Sequence, residues 1–396
     1  MNRQTRSRWS ITALMIGATL VLASCSSGGS SGAAGGSASA APAASGSASA
    51  SGGGGDYAAM LTAATKLAPG DSFAGPTAAA KAPKGLKVAA ITCYSILEGC
   101  VIPAKGIAKA AAAIGWQSQI FDGGGTPDSQ NKQILNAVSY GAKVIAIIAI
   151  SPATVQSGLE AAKRAGIVVV SGSSGISEPN ATLPPPAGAV WPSVDVSPDY
   201  GKLAANIGNW VIADSGGKAN VAVYGDKEFD SINAQERGIV TALTACTGCK
   251  VSPVMYFTAS QIGSTLGPQV VSYLRANPDV NYVYMPYDPP AVAVVTAIAN
   301  AGMASRVKVV SALGNSQNLN FVANGNVQYA DAAYDNIYMG YAMLDQAIRV
   351  LNKQPLSTPL GENLPYQLLT AKNLPKKLDS WNAPFKYEDK FVALWQ

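Results

Sequence analysis

The sequence predicts an α/β protein of two doubly wound parallel-sheet lobes, joined by crossovers, with a ligand cleft between them. Three observations point there. Apolar, β-branched runs alternate with helical stretches from residue 86 onward. Gly115, Gly141 and Gly166 each stand between a helical stretch and the next strand-like run, where a helix stop is needed. After a Pro-rich crossover at 183–193 the same alternation begins again, so the body has two similar halves. The roughly 312 residues from Gly85 are enough for two cores.

Taken in order, residues 86–92 (LKVAAIT) are a strand and the Ala-rich 102–114 a helix. Residues 117–121 are a second strand and 128–140 a helix. Residues 144–150 (VIAIIAI) are apolar on both faces, as in the middle of a parallel sheet. A helix over 153–165 follows, with Ser151 and Pro152 as cap and first turn, and 167–170 is the fourth strand. The second half reads helix 198–212, strand 220–224, helix 232–245, strand 251–256 and helix 264–276. It continues with strand 282–285, helix 289–301, strands 307–311 and 327–332, and a long amphipathic helix over 337–351. The expected lobes are 85–195 with 334–362, and 196–333 with 363–396.

Ahead of this body, residues 1–24 read as a secretory signal. Arg3, Arg6 and Arg8 precede an apolar run from Ile11 to Leu22 that is too short to span a membrane. Leu22-Ala23-Ser24-Cys25 looks like a bacterial lipobox, in which the cysteine thiol is diacylated and then becomes the first residue. Cys25 is therefore the expected lipid site, and several acyl chains hold a membrane where one is marginal. Residues 26–55 are Ser, Gly and Ala apart from Pro42, with nothing to bury; such a coil reaches roughly 30 Å. A formal GxSxG within it (Gly28 to Gly32) lacks the strand–turn–helix context of a nucleophile. Residues 56–84 read as a loosely ordered lead-in.

Removing the three signal arginines takes the net charge from +5 to +2. No basic stripe with interleaved aromatics is present, so nucleic acid is not an expected partner. Beyond Cys25 there are four cysteines, Cys93, Cys100, Cys246 and Cys249. An even number outside the cytoplasm suggests disulfides; three connectivities are open, of which the local pairs 93–100 and 246–249 are favoured. The CxxC at 246–249 falls at a chain reversal rather than at the helix start that favours a redox thiolate.

With its order of strands and helices, the chain resembles type I periplasmic solute-binding proteins of the ribose/galactose branch, receptors of bacterial ABC importers. The likeness spans about 86–369 and is carried by local runs. These are Asp122 with Pro127 and Gln130, AAKRAGIVVV at 161–170, Glu236-Arg237-Gly238, Asn277-Pro278-Asp279-Val280, and AIANAG at 297–302. The resemblance implies solute capture by closure of two lobes about crossovers near Asp195, Ala333 and Leu360. It further implies delivery to a membrane permease with a separate ATPase, by a monomer that needs no cofactor and no metal. It places Tyr94, Ser151, Ser173 and Ser174 in the cleft from the first lobe, together with Cys93, Gly99 and Cys100. From the second lobe come Gln235, Gln261, Tyr287, Asp288 and Leu313, with Asp335 near the hinge. Ser151 and Asp288 have helix capping as an alternative role, and Ser173-Ser174 a simple turn.

Here the chain departs from the sugar-binding pattern. Gly99 and Cys100 stand where relatives present stacking rings, Ser173-Ser174 where they carry an Asp-Arg pair, Ser151 where they have Asn, and Leu313 where they have Asp. The solute is a sugar or a less polar molecule, with Tyr94, Tyr287, Trp191 and Tyr334 as candidate partners. A tethered ligand sensor and a cleft enzyme compete with transport. With no histidine, Ser-His-Asp, Cys-His and His-metal chemistry are excluded, and no phosphate-binding GxxxxGK[ST] loop is present. Asp226, Glu228 and Asp230 read as a solvated loop.

Overall fold

A computed structural model describes residues 56–175 and 187–396; the signal, Cys25 and the Ser/Gly/Ala tract lie outside them. Helix α1 (Tyr57–Ala64) precedes the first lobe, where strands and helices alternate: β1 (Lys87–Thr92), α2 (Glu98–Ala113), β2 (Gln117–Asp122), α3 (Pro127–Tyr140) and β3 (Val144–Ile148). A 3-10 turn (Pro152–Thr154) leads into α4 (Gln156–Arg164), β4 (Val168–Gly172) and β5 (Asp195–Val196). The strands form one parallel sheet in the order β2-β1-β3-β4-β5. All five residues of β3 are buried, as a central parallel strand requires, while β2 at the edge carries polar residues to solvent.

The second lobe contains α5 (Tyr200–Asp214), β6 (Asn220–Asp226), α6 (Asp230–Thr244), β7 (Lys250–Val251) and β8 (Met255–Phe257). It continues through α7 (Leu266–Ala276), β9 (Tyr282–Tyr284), α8 (Asp288–Asn300), β10 (Lys308–Leu313), α9 (Ser316–Asn324) and β11 (Gln328–Tyr334). Helix α10 (Asn336–Leu351) returns to the first lobe, β12 (Tyr366–Thr370) rejoins the second, and α11 (Glu388–Trp395) closes the chain. The second sheet runs β12-β11-β10-β9-β6-β7, parallel except for β12, which pairs antiparallel with β11. The expected strand over 251–256 is split in two. Pro253, which has no N–H for a ladder, separates β7 from β8, and each pairs with β6.

Helix α10 is held against α2 by two glycines. A side chain on Gly106 would meet the Ile337 carbonyl at 2.6 Å, and one on Gly340 the Pro103 carbonyl at 2.5 Å. The close crossing lets Tyr338, Met339 and Met343 fill the first lobe's core beside Ile107 and Val170.

Two expectations are corrected. The lead-in is built into the body: α1 packs on α5, and the backbone N–H groups of Ala80 and Ala82 donate to the Leu394 and Trp395 carbonyls at 2.7 and 2.8 Å. Those carbonyls are free because α11 ends there, and the lead-in satisfies them. Second, α11 sits with the first lobe rather than with 363–384: Trp395 stacks on Tyr341 of α10 and donates its indole N–H to Asp345 at 2.7 Å.

Candidate solute-binding cleft

In both sheets the parallel strands end on the side where the lobes face each other, and the helices that follow begin there. From the first lobe, the start of α2 brings Leu97, Gly99 and Cys100, the end of β3 brings Ala149, and the end of β4 brings Ser173. From the second, the start of α6 brings Phe229, Ser231, Ile232 and Gln235. The start of α8 brings Tyr287 and Pro289, and the ends of β10 and β11 bring Leu313 and Tyr334. Tyr200 completes the wall from the first turn of α5. Together they enclose about 60 Å³ of water-accessible space, room for roughly four to six waters.

The lobes touch around this space. The Ser151 hydroxyl donates to the Asp230 carboxylate at 2.8 Å, a side chain on Gly175 would meet the Ser231 backbone, and one on Gly99 would meet Leu313 at 3.3 Å. Ser231 and Gln235 lie four apart on α6 and so share one face.

The polar groups of the wall form two clusters. Tyr200 donates to Ser173 Oγ at 2.8 Å, and the Tyr334 hydroxyl is bonded with both. Burial pushes the Tyr334 phenol up to about 12 and raises Tyr200 well above its ordinary value, so both are neutral at physiological pH. In the other cluster Tyr287 donates to Asp226 at 2.6 Å and Tyr284 donates to Gln235 Oε1 at 3.2 Å. Asp226 and Asp230 are not the solvated loop residues expected. Asp226 is 1% exposed, and burial raises both carboxyls above the usual carboxylate range. Tyr287 and Ser151 bond the two aspartates, which covers Asp226 and half-buries Asp230, while Lys227 and Glu228 between them stay exposed as expected.

Of the residues singled out from sequence, Ser173, Gln235 and Tyr287 line the cavity, as do Gly99, Cys100, Leu313 and Tyr334. Ser151 makes the contact between lobes and no capping bond. Ser174 lies beside the cavity, its N–H donating to Asp195 at 3.2 Å and its hydroxyl to the Ile150 carbonyl at 3.2 Å. The other four lie elsewhere. Tyr94 packs against Gly125, in the turn after β2, and is not part of the cavity wall. Gln261 closes a capping box on Thr258. Asp288 is the first residue of α8, and its carboxyl accepts from Ser311 Oγ at 2.6 Å and from the Asn315 N–H at 2.7 Å. Asp335 caps α10 through the Tyr338 N–H at 2.8 Å and accepts from Tyr387 at 3.0 Å. Trp191 lines a separate groove near Lys163. Leu97, Tyr200, Phe229, Ser231, Ile232 and Pro289 were not anticipated, although most sit at the helix starts and strand ends where the fold puts its ligands.

The cysteines pair locally. The Cys93–Cys100 disulfide (Cα–Cα 5.6 Å) ties the end of β1 to α2 and places Cys100 in the cavity wall, while Cys246–Cys249 (5.4 Å) closes the turn after α6. Among the described residues no helix is long and apolar enough to cross a membrane, and no cluster of His, Cys, Asp or Glu could hold a metal ion.

This two-lobed cleft has counterparts. The sequence profile of the periplasmic binding protein domain matches residues 100–355, well over half of the chain. The chain belongs to the periplasmic binding protein family.

Solved structures of transporter subunits and solute-binding proteins share its architecture. A sugar ABC transporter subunit from Rhodobacter sphaeroides superimposes with a TM-score of 0.62 at 17% identity, covering 73% of this chain and 99% of that one. A solute-binding protein from Agrobacterium vitis, bound with α-D-tagatopyranose, gives 0.64 at 16% identity, over 74% and 96%. The 5-methylthioribose-binding protein of Thermotoga lettingae gives 0.59 at 18%, over 75% and 89%. At these identities the likeness is one of fold. No curated protein matches the chain.

Proposed function

We propose that the protein is the extracytoplasmic receptor of an ABC importer, tethered to the membrane through a lipid on Cys25 and acting as a monomer. It captures a small solute between its lobes and delivers it to a permease driven by a separate ATPase. The observation that carries this reading is a cavity whose wall comes from both lobes at strand ends and helix starts, with Ser151 and Asp230 bonded across its rim. Such a wall is complete only when the lobes are together, so a solute that touches both sides favours the closed form by its differential affinity. Among the described residues the cavity offers positioning groups but no activated nucleophile, since Ser173 accepts from a neutral phenol and donates to Met339 Sδ rather than to a base.

Two measurements test the reading. Mass spectrometry of the purified protein should find a small molecule that is released on unfolding. Labelled palmitate should be incorporated by the wild-type chain and not by Cys25→Ser. Label on the Cys25→Ser chain would remove the lipid anchor from the proposal.

A further inference from the structure

The chemistry of the cavity wall identifies the class of solute, on the receptor reading above. None of the described residues lining it carries a charge, so an ionic solute would lose its hydration with no counter-charge in return. Leu97, Phe229, Ile232, Pro289 and Leu313 supply apolar surface from both lobes. The hydroxyl protons are already engaged: Tyr200 donates to Ser173, Ser173 to Met339 Sδ and Tyr287 to Asp226, while Tyr334 is bonded with the first pair, so these groups meet a solute chiefly as acceptors. Gln235, 3% exposed, accepts from Tyr284 through its carbonyl oxygen, which fixes the orientation of the amide. Its Nε2 amide group makes no hydrogen bond among the described residues, and neither does the Ser231 hydroxyl one turn earlier on the same helix face.

A polyol fits this wall poorly. Each of its hydroxyls brings a donor and an acceptor, and every one left unpaired in a closed site costs about 1–3 kcal/mol. Among the described residues the free donors of the wall are thus the Gln235 amide and the Ser231 hydroxyl, neighbours on one helix face that together meet one polar end of a molecule. We infer that the solute is a small, uncharged and mainly apolar compound with a single hydrogen-bond acceptor, such as a carbonyl or ether oxygen. The acceptor takes the Gln235 amide N–H, with the Ser231 hydroxyl beside it, and the apolar body lies against Leu313, Ile232 and Phe229. Gln235 is thereby the specificity-determining residue.

The test uses the full chain in phospholipid nanodiscs, with empty nanodiscs as the blank. Cyclohexanone is the apolar probe with one acceptor; D-ribose, D-galactose and glycerol are the polyol probes. Titration calorimetry and thermal unfolding should show saturable binding and a raised Tm with cyclohexanone, and neither with the polyols. Gln235→Leu should weaken cyclohexanone roughly tenfold, the worth of one hydrogen bond in a dry site. Gln235→Glu, nearly the same shape but without the amide donor, should weaken it as well and guards against misfolding of the leucine variant. Cyclohexanone binding unchanged in both variants would overturn the role of Gln235. Saturable binding of any of the polyols would overturn the solute class while leaving the receptor reading intact. Silence from cyclohexanone would likewise overturn the solute class, while the receptor reading stands or falls separately on the copurifying molecule.

Discussion

Ser151, three residues past the third strand of the first lobe, donates its hydroxyl to Asp230, the first residue of α6 in the second, at 2.8 Å. The bond joins the lobes beside the cavity and replaces the capping bond that a serine before Pro152 would ordinarily make. It is half-buried, and its acceptor is a carboxylate, so it should be worth about 1.5–3 kcal/mol to the closed form. Ser151→Ala should accordingly weaken the copurifying solute by at least tenfold, chiefly through faster release, with little change in the Tm of the solute-free protein. Stopped-flow dissociation measures the first and calorimetry the second.

Positions 93 and 100 should matter to binding, and 246 and 249 should not. The first disulfide holds the loop before α2, and Cys100 forms part of the wall; the second closes a turn far from it. On the chain-entropy account, loops this short contribute only about 2–2.5 kcal/mol each to stability. Cys93→Ser/Cys100→Ser should lower affinity severalfold by restoring freedom to a loop that closure must order. Cys246→Ser/Cys249→Ser should leave affinity unchanged with a similar loss of Tm. Equal effects on affinity would show that the first disulfide has no special place in the site.

The core carries carboxyls that prefer their protons. Burial raises Asp331 and Asp335 to about 6, and raises Asp288, next to Asp331, and Glu362, next to Asp345, well above the carboxylate range. Neither carboxyl oxygen of Glu362 has a hydrogen-bond partner among the described residues. A carboxyl raised on folding binds its proton more tightly in the native chain than in the unfolded one, so stability falls as pH rises between the two values. For Asp331 and Asp335 that window runs from about 4 to about 6; for Asp288 and Glu362 it continues upward. The Tm should therefore be higher at pH 5 than at pH 8. Glu362→Gln, which keeps the shape of the neutral acid, should raise the Tm at pH 8 and flatten the slope. A Tm that rises from pH 5 to pH 8 would contradict the protonated state of these groups.

Much of the fold is legible in local sequence, because a parallel strand buried on both faces and a helix stopped by glycine leave short-range marks. The all-apolar β3 and Gly141, the left-handed C-cap of α3, are examples. What escaped depends on distant partners. Tyr57–Ala64 and Glu388–Trp395 carry weak helical patterns and are ordered by packing on α5 and α10. Antiparallel β12 follows a crossover and has no helix to announce it. In the cleft, Ser173, Gln235 and Tyr287 stand at positions that the α/β topology assigns to ligands. Ser151 and Asp230, 79 residues apart, meet only because two lobes close, and no spacing records that contact. Asp288 and Asp335 occupy ligand-like positions too, yet neighbouring donors draw both carboxyls into the protein.

The central claim is that solute holds the lobes together about the cavity between Ser151 and Asp230. Small-angle scattering of the full chain carrying Cys25→Ser tests it most directly, first stripped of the copurifying molecule and then reloaded with it. The radius of gyration should fall on reloading, with half the change reached at the dissociation constant measured by calorimetry. A profile that stays the same while the solute binds would contradict closure, and with it the cleft as the place where the solute is held.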